Sequence, residues 1–289
     1  MTRKKMIFWI KLISELGKVR ISLPIALSAL TGYALKSNHF DGQAWMLMAG
    51  VFLMSCSSGA INHLQEYKTD ALMPRTKNRP IPSGKITPKG AFWVALSFFV
   101  YGGFILIISF PFIVFLTSFL TLLSYNVIYT PLKKVTAFAV VPGSLVGALP
   151  PYIGWFAAGG DVMNGQIFWV GLFFFIGQIP HFWLLLLMFG KEYELAGFPS
   201  LHSVFTDNQI KRLSFTWIVA TIATALVVAL EVIQGSVLMF FLLMYIFYVL
   251  FSLSTSILIQ KDLKVRSSFF KLNFLYLLMM IVLIADSLF

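Results

Sequence analysis

The sequence has one cysteine, four histidines and few charges. A lone Cys56 excludes an intrachain disulfide and a cysteine-built zinc site. It lies within an apolar run and reads as packing. Charged residues make up 11% of the chain, where a soluble domain carries about 25%, and hydrophobic residues make up 58%. Acidic groups are the scarcest: 11 Asp and Glu stand against 22 Lys and Arg. Such an excess would suggest nucleic acid if it formed a patch. Here it gathers in alternate loops between apolar runs, the pattern that membrane orientation imposes, so no nucleic-acid partner is expected. The N-terminal MTRKKMIFWIKL places basic residues before apolar ones. It has no small-residue cleavage site and Lys11 interrupts it, so it reads as retained rather than as a signal peptide.

Apolar runs fill most of the chain. They cover residues 21–37, 44–63, 91–109, 111–130, 137–157, 167–189, 214–231, 236–259 and 272–288. Each is near the roughly 17–25 residues that a bilayer crossing needs. The expectation is an all-α integral membrane protein of nine transmembrane helices, one polytopic domain over 1–289. Of the 22 Lys and Arg, 21 fall on the side that holds the N-terminus; only Lys36 falls on the other. This bias predicts a cytoplasmic N-terminus and an external C-terminus in the cell membrane. The loops at 66–90, 129–134 and 190–212 then share the cytoplasmic face.

Those loops carry the chemistry. At the end of the second run, AINHLQEYKTDALMPRTKNRPIPSGKITP sets Asn62, Glu66 and Asp70 four residues apart. Residues so spaced share one helix face, a ladder of oxygens with steps of about 6 Å. Lys68, Arg75, Lys77, Arg79 and Lys85 follow at once, with Lys77 reading as a bystander. Hard oxygen ligands suit Mg²⁺, which shares its shell with substrate phosphates. The pattern therefore points to a metal-bound diphosphate. Solvation of a helix end is the plainer reading, but ionisable groups at a membrane are costly and tend to be functional. His63 and Gln65 face other directions and read as packing.

Three further segments matter. In SYNVIYTPLKKVT, Tyr129 and Lys133 flank Pro131, where a helix break would turn Lys133 and Lys134 towards a phosphate. A basic cap obeying the charge bias explains the segment equally well. In IGQIPHFWLLLLMFGKEYELAGFP, Pro180 and His181 lie deep in an apolar run. Proline there frees backbone carbonyls, a break tolerated where it lines a cavity. The run ends in Lys191, Glu192, Tyr193 and Glu194, and Glu192 is a candidate second carboxylate. In VVPGSLVGALPPYIGWFAAGG, Gly143, Ser144, Gly147 and Ala148 permit close helix approach or leave room for a flat substrate, and packing is the default.

PRTKNRPIPSGKITP, YTPLKKVT, GALPPYIGWFAAGG and QIPHFWLLLLMFGKEY with AGFP together carry a resemblance, over about residues 18–212, to the UbiA superfamily of intramembrane prenyltransferases. GALPPYIGW and PHFW place it in the haem-farnesylating branch. The resemblance implies a nine-helix bundle with a central cavity open to the cytoplasm. It implies Mg²⁺ as cofactor, with Glu66, Asp70 and Glu192 as metal ligands and Asn62 beside them. Lys68, Arg75, Arg79, Tyr129, Lys133 and Lys191 would hold the diphosphate, and His181 would serve on the haem side. The substrates implied are farnesyl diphosphate and haem B, joined with water addition to make haem O, with handover to a haem A synthase or terminal oxidase. The family usually has Asp where this chain has Glu66 and Glu192; Glu keeps the charge and lengthens the reach. Three alternatives stay open: a quinone-pathway aromatic prenyltransferase, a transporter, and a non-catalytic haem-binding membrane protein. The clustering of charge at one face, not at the midplane, disfavours the transporter.

Overall fold

The computed structural model describes residues 3–199, 201–258 and 262–289. Among these every regular element is helical. A short helix α1 (Arg3–Leu16) precedes α2 (Val19–Ser37), α3 (Gly42–Asp70), α4 (Pro88–Ser109) and α5 (Phe112–Leu123). A π-helical turn, Ser124–Tyr129, leads into α6 (Thr130–Leu132). Then come α7 (Val140–Gly143), α8 (Leu145–Ala157), α9 (Gly165–Leu195), α10 (Asp207–Glu231), α11 (Ser236–Leu258) and α12 (Val265–Leu288). All nine apolar runs fall on helices; the eighth was expected to reach 259, which lies outside the described residues, as does Lys261.

Among the described residues eight helical segments are long and apolar enough to cross a membrane, so this is a multi-pass membrane protein. The helix over the first run, α2, is not among the eight. Arg20 and Lys36 near its two ends lower its hydropathy, and Ser22, Ser28 and Thr31 between them are buried, facing protein instead of lipid. Two glycine contacts fix its place. A Cβ on Gly32 would fall 1.8 Å from the Pro151 carbonyl oxygen, and one on Gly154 would fall 1.7 Å from that of Ala29. Helices α2 and α8 therefore touch backbone to backbone, as small residues in membrane helices allow. Gly143 lies under the Tyr129 ring, and Gly147 against Gln178. These glycines serve packing.

Among the described residues the core forms four clusters, two of them large. Leu30, Leu47, Met54, Leu106 and Ile153 join α2, α3, α4 and α8. Phe173, Ile222, Leu242 and Met279 join α9 to α12. Helix α1 differs from the rest: Leu12 and Leu16 pack on Ala60 and Ala95, while Ile7, Phe8, Trp9 and Ile10 are exposed. With Arg3, Lys4 and Lys5 at its start, it has the character of a helix lying in the membrane interface.

Proline does less here than expected. Helix α9 runs unbroken through Pro180, and α8 through Pro150 and Pro151. Each proline removes only its own N–H, and tight packing keeps the rest of the helix in register. Pro131 likewise does not break its helix. It sits in the first turn of α6, where a missing N–H costs little, and the irregularity lies upstream in the π-turn.

Candidate active site

Helix α3 continues seven residues past the apolar run that announced it, as far as Asp70. That extension puts Asn62, Glu66 and Asp70 on one helical face, and all three are buried. Asn62 Nδ2 donates to Glu66 Oε2 at 3.0 Å and to Thr130 Oγ1 at 3.2 Å. Lys133 Nζ lies 2.7 Å from Glu66 Oε1, a close ion contact off the line of a hydrogen bond. Arg79 grips Asp70 with one guanidinium nitrogen, at 2.7 and 2.8 Å from its two oxygens.

The loop after α3 is shaped to deliver Arg79. Thr76 Oγ1 donates to the Asp70 carbonyl at 2.9 Å, and Met73 and Ile81 are buried, so the chain folds back over the helix end. Lys133 arrives from the other side. The π-turn before it is held to α3 by a polar zipper: Ser58 Oγ donates to Asn126 Oδ1 at 2.7 Å, Gln65 Nε2 donates to the Asn126 carbonyl at 2.8 Å, and Asn126 Nδ2 donates to Gln65 Oε1 at 3.1 Å. Gln65 therefore does more than pack. The π-turn stacks Tyr125 on Tyr129, with ring centroids 5.6 Å apart. Burial pulls the Lys133 ammonium down, but Glu66 foremost, with nearby tyrosine hydroxyls, outweighs it and holds Lys133 above the usual lysine value. Such pairs are costly to break singly. Removing one partner leaves an uncompensated charge, worth about 3–5 kcal/mol.

Beside these pairs lies a cleft walled by Tyr129, Lys133, Phe182, Leu186, Tyr193 and Phe198. Its far wall is set by the end of α9. Gly197, at φ 76, takes the left-handed conformation that closes helices. Phe198 N–H donates to the Tyr193 carbonyl at 3.0 Å, and the two rings meet edge to face. The cleft thus combines a cation, Lys133, with the rings of Tyr129, Phe182, Tyr193 and Phe198 among aliphatic neighbours.

The remaining predicted residues lie further out. Glu192 accepts a hydrogen bond from the Arg75 backbone N–H at 3.2 Å, and the Arg75 guanidinium rests 4.8 Å from the Phe189 ring centroid. The pair ties the 66–90 loop to α9. Among the described residues no three of His, Cys, Asp and Glu gather closely enough to hold a metal, so Glu66, Asp70 and Glu192 do not form one cage. Mg²⁺ does not require one, since it is commonly bound by one or two carboxylates and completed by phosphate and water. Asn62, Glu66 and Asp70 offer that donor set. Lys68 and Lys191 are exposed. His181 is also apart. It faces α12, 5.0 Å from the Phe269 ring and 6.4 Å from Tyr276, with Nδ1 buried and without a hydrogen-bond partner.

Residues that the motif reading passed over complete the centre. Thr130, Asn126 and Tyr125 stood within SYNVIYTPLKKVT as polar groups in an apolar run. Lys18 donates to Asn62 Oδ1. Burial, with Arg79 and Lys133 close by, lowers its ammonium to about 7.

The sequence profile of the UbiA prenyltransferase family matches residues 25–276. The chain belongs to the UbiA prenyltransferase family. That span holds every site residue above except Lys18. The chain is 35% identical over 204 residues to the protoheme IX farnesyltransferase of Oleidesulfovibrio alaskensis, covering 71% of this chain and 72% of that protein. It is 31% identical over 224 residues to the protein of the same name from Nitratidesulfovibrio vulgaris strain DP4, covering 77% and 78%. The fold matches a solved UbiA homolog from Archaeoglobus fulgidus bound to GPP and Mg²⁺, with TM-score 0.73 and 15% identity over 95% of this chain and 99% of that one. A UbiA homolog from Aeropyrum pernix K1 matches with TM-score 0.73 and 16% identity over 93% and 98%.

Proposed function

We propose that this protein transfers the farnesyl group of farnesyl diphosphate to a vinyl group of haem B, with addition of water, to make haem O. The observation that carries the chemistry is the gathering of the Glu66–Lys133 and Asp70–Arg79 pairs at the end of α3, with Lys133 also lining a cleft that holds four aromatic rings. The acceptor rests on the relatives named protoheme IX farnesyltransferase, which align over most of their length. Asn62, Glu66 and Asp70 would hold Mg²⁺, with Glu192 beyond them, and the bound ion would neutralise charge on the diphosphate. Lys133 and Arg79 would bind phosphate oxygens, and Tyr129 would close the cleft behind them.

The reaction needs a leaving group stabilised where its charge develops. The allylic C–O bond breaks and its electron pair leaves on the diphosphate, next to the cations. Farnesyl C1, now electron-poor, bonds to the terminal carbon of a haem vinyl group. Water adds to the resulting haem-side cation and loses a proton, leaving a hydroxyethylfarnesyl substituent. Tyr129, Phe182 and Phe198 exclude water from the allylic cation until the carbon–carbon bond has formed. His181, deeper in the membrane and among rings, would serve the haem side. The reading places nine helices in one domain, the cavity open to the cytoplasm, N-terminus inside and C-terminus outside, with haem O passed on to a haem A synthase or terminal oxidase.

Purified protein with farnesyl diphosphate, Mg²⁺ and either haem B or 4-hydroxybenzoate tests this by product mass. Haem gaining a farnesyl group and water is the expected result. A prenylated benzoate would move the chain to another branch of the family, and no product from either acceptor would overturn the reading.

A further inference from the structure

Lys18 joins α1 to α2 in the left-handed region, at φ 48, an uncommon conformation for a residue other than glycine. The junction is wedged against α3. A Cβ on Gly59 would lie 3.2 Å from the Gly17 carbonyl oxygen and 3.3 Å from Lys18 Cγ, and one on Gly17 would lie 3.1 Å from Cys56. Ser22 Oγ donates to the Gly17 carbonyl at 2.9 Å, and Ser55 Oγ donates to Ser22 Oγ at 3.0 Å. Small residues on α3 and two serine hydroxyls thus hold a kinked backbone in place. The kink turns the Lys18 side chain inward, so that its ammonium donates to Asn62 Oδ1 and stands 5.9 Å from the Tyr125 ring centroid.

Charge accounting gives this placement its meaning. Lys133 faces Glu66, and Arg79 faces Asp70. Lys18 is the third cation at the same helix face, yet its hydrogen-bond partner is a neutral amide. A cation drawn away from water without a counter-ion is costly. With Lys18 protonated, its charge and those of Lys133 and Arg79 outnumber those of Glu66 and Asp70 by one, the charge that a bound anion would answer. As an ammonium Lys18 can only donate, which sets Asn62 Oδ1 towards Lys18 and Nδ2 towards Glu66 and Thr130.

We propose that Lys18 is a diphosphate-binding residue of this site, its ammonium pairing with a phosphate oxygen of the prenyl diphosphate while it holds Asn62 in orientation. The inference rests on the diphosphate site described above and adds a residue outside the matched family span.

The test is binding of inorganic diphosphate in the presence of Mg²⁺ to the full-length protein in detergent, read by calorimetry, with thermal unfolding of the ligand-free protein alongside. Lys18→Met and Lys18→Gln are expected to weaken diphosphate binding about tenfold or more, the scale of one charge-assisted hydrogen bond. Lys18→Arg is expected to stay within about threefold. Both neutral variants should keep the ligand-free unfolding midpoint, because no ion pair is lost. Unchanged diphosphate affinity in Lys18→Met and Lys18→Gln, with a lowered ligand-free midpoint, would reduce Lys18 to a structural residue and overturn the proposal. Wild-type protein that binds no diphosphate would overturn the site reading itself, and this inference with it.

Discussion

The last two turns of α3 and the middle of α9 both place polar groups in a membrane protein, and they do so in opposite ways. At the end of α3 each buried carboxylate meets a cation within 3 Å and each amide is bonded, while the buried ring of His63, on another side of the helix, has no hydrogen-bond partner. In α9, His181 is set among the rings of Phe182, Phe269 and Tyr276, with the Asn273 amide as its polar neighbour, and leaves Nδ1 without a partner. The first region is ordered by charge and the second by ring packing. A reaction that must ionise a diphosphate beside an apolar, flat acceptor needs both, kept apart. Strong electrostatics in the acceptor region would trap the allylic cation, and aromatic packing around the phosphate would leave its charge unanswered.

The largest way to break this comparison is to remove charge from α3. Glu66→Gln and Asp70→Asn should each lower turnover by about 10²–10³-fold or more while expression and folding persist, measured by haem product formation. Full activity in both variants would sink the assignment. Next comes the pairing. Lys133→Met leaves Glu66 buried and unpaired, and should cost about 3 kcal/mol of stability. The double variant Glu66→Gln with Lys133→Met should recover most of that stability and none of the activity. A double-variant cycle in unfolding free energy measures the coupling, and additive losses would contradict the pair. A smaller effect is expected at Gly197→Ala, which forces a side chain into the left-handed region at the end of α9. It should destabilise by about 1 kcal/mol and loosen the Tyr193–Phe198 wall, seen as a rise in KM for farnesyl diphosphate of a few-fold. The smallest belongs to Lys68→Ala and Lys191→Ala. Both side chains are exposed, and each change should alter kcat/KM by less than about threefold at moderate ionic strength.

The helical membrane fold was legible because lipid demands long apolar runs, and the carboxylate ladder because helical spacing is regular. Asn62, Glu66 and Asp70 align only if the helix outlasts its apolar run, and it does. Arg79 stood out in the run of cations that follows the ladder, and Tyr129 and Lys133 by flanking Pro131, where the sequence left a basic cap equally open; the structure brings Arg79 and Lys133 to the carboxylates. Glu192 was harder. Its position at the end of α9 was clear, but its contact with the Arg75 backbone depends on how a loop of mostly turn residues folds back. Lys18 lay beyond reach, since a single left-handed residue leaves no periodic trace and its partner on α3 is 44 positions away. The π-turn was hidden for a similar reason. Pro131 marked an irregularity, but only the Asn126–Gln65 zipper locates it one turn earlier.

The division of labour between the two regions is tested most directly by crossed kinetics. KM for farnesyl diphosphate and for haem B would be measured in Arg79→Met and in His181→Phe. The account predicts that Arg79→Met raises KM for farnesyl diphosphate and leaves that for haem B unchanged, and that His181→Phe does the reverse. If His181→Phe instead weakens farnesyl diphosphate and spares haem B, the two regions do not divide the substrates in this way.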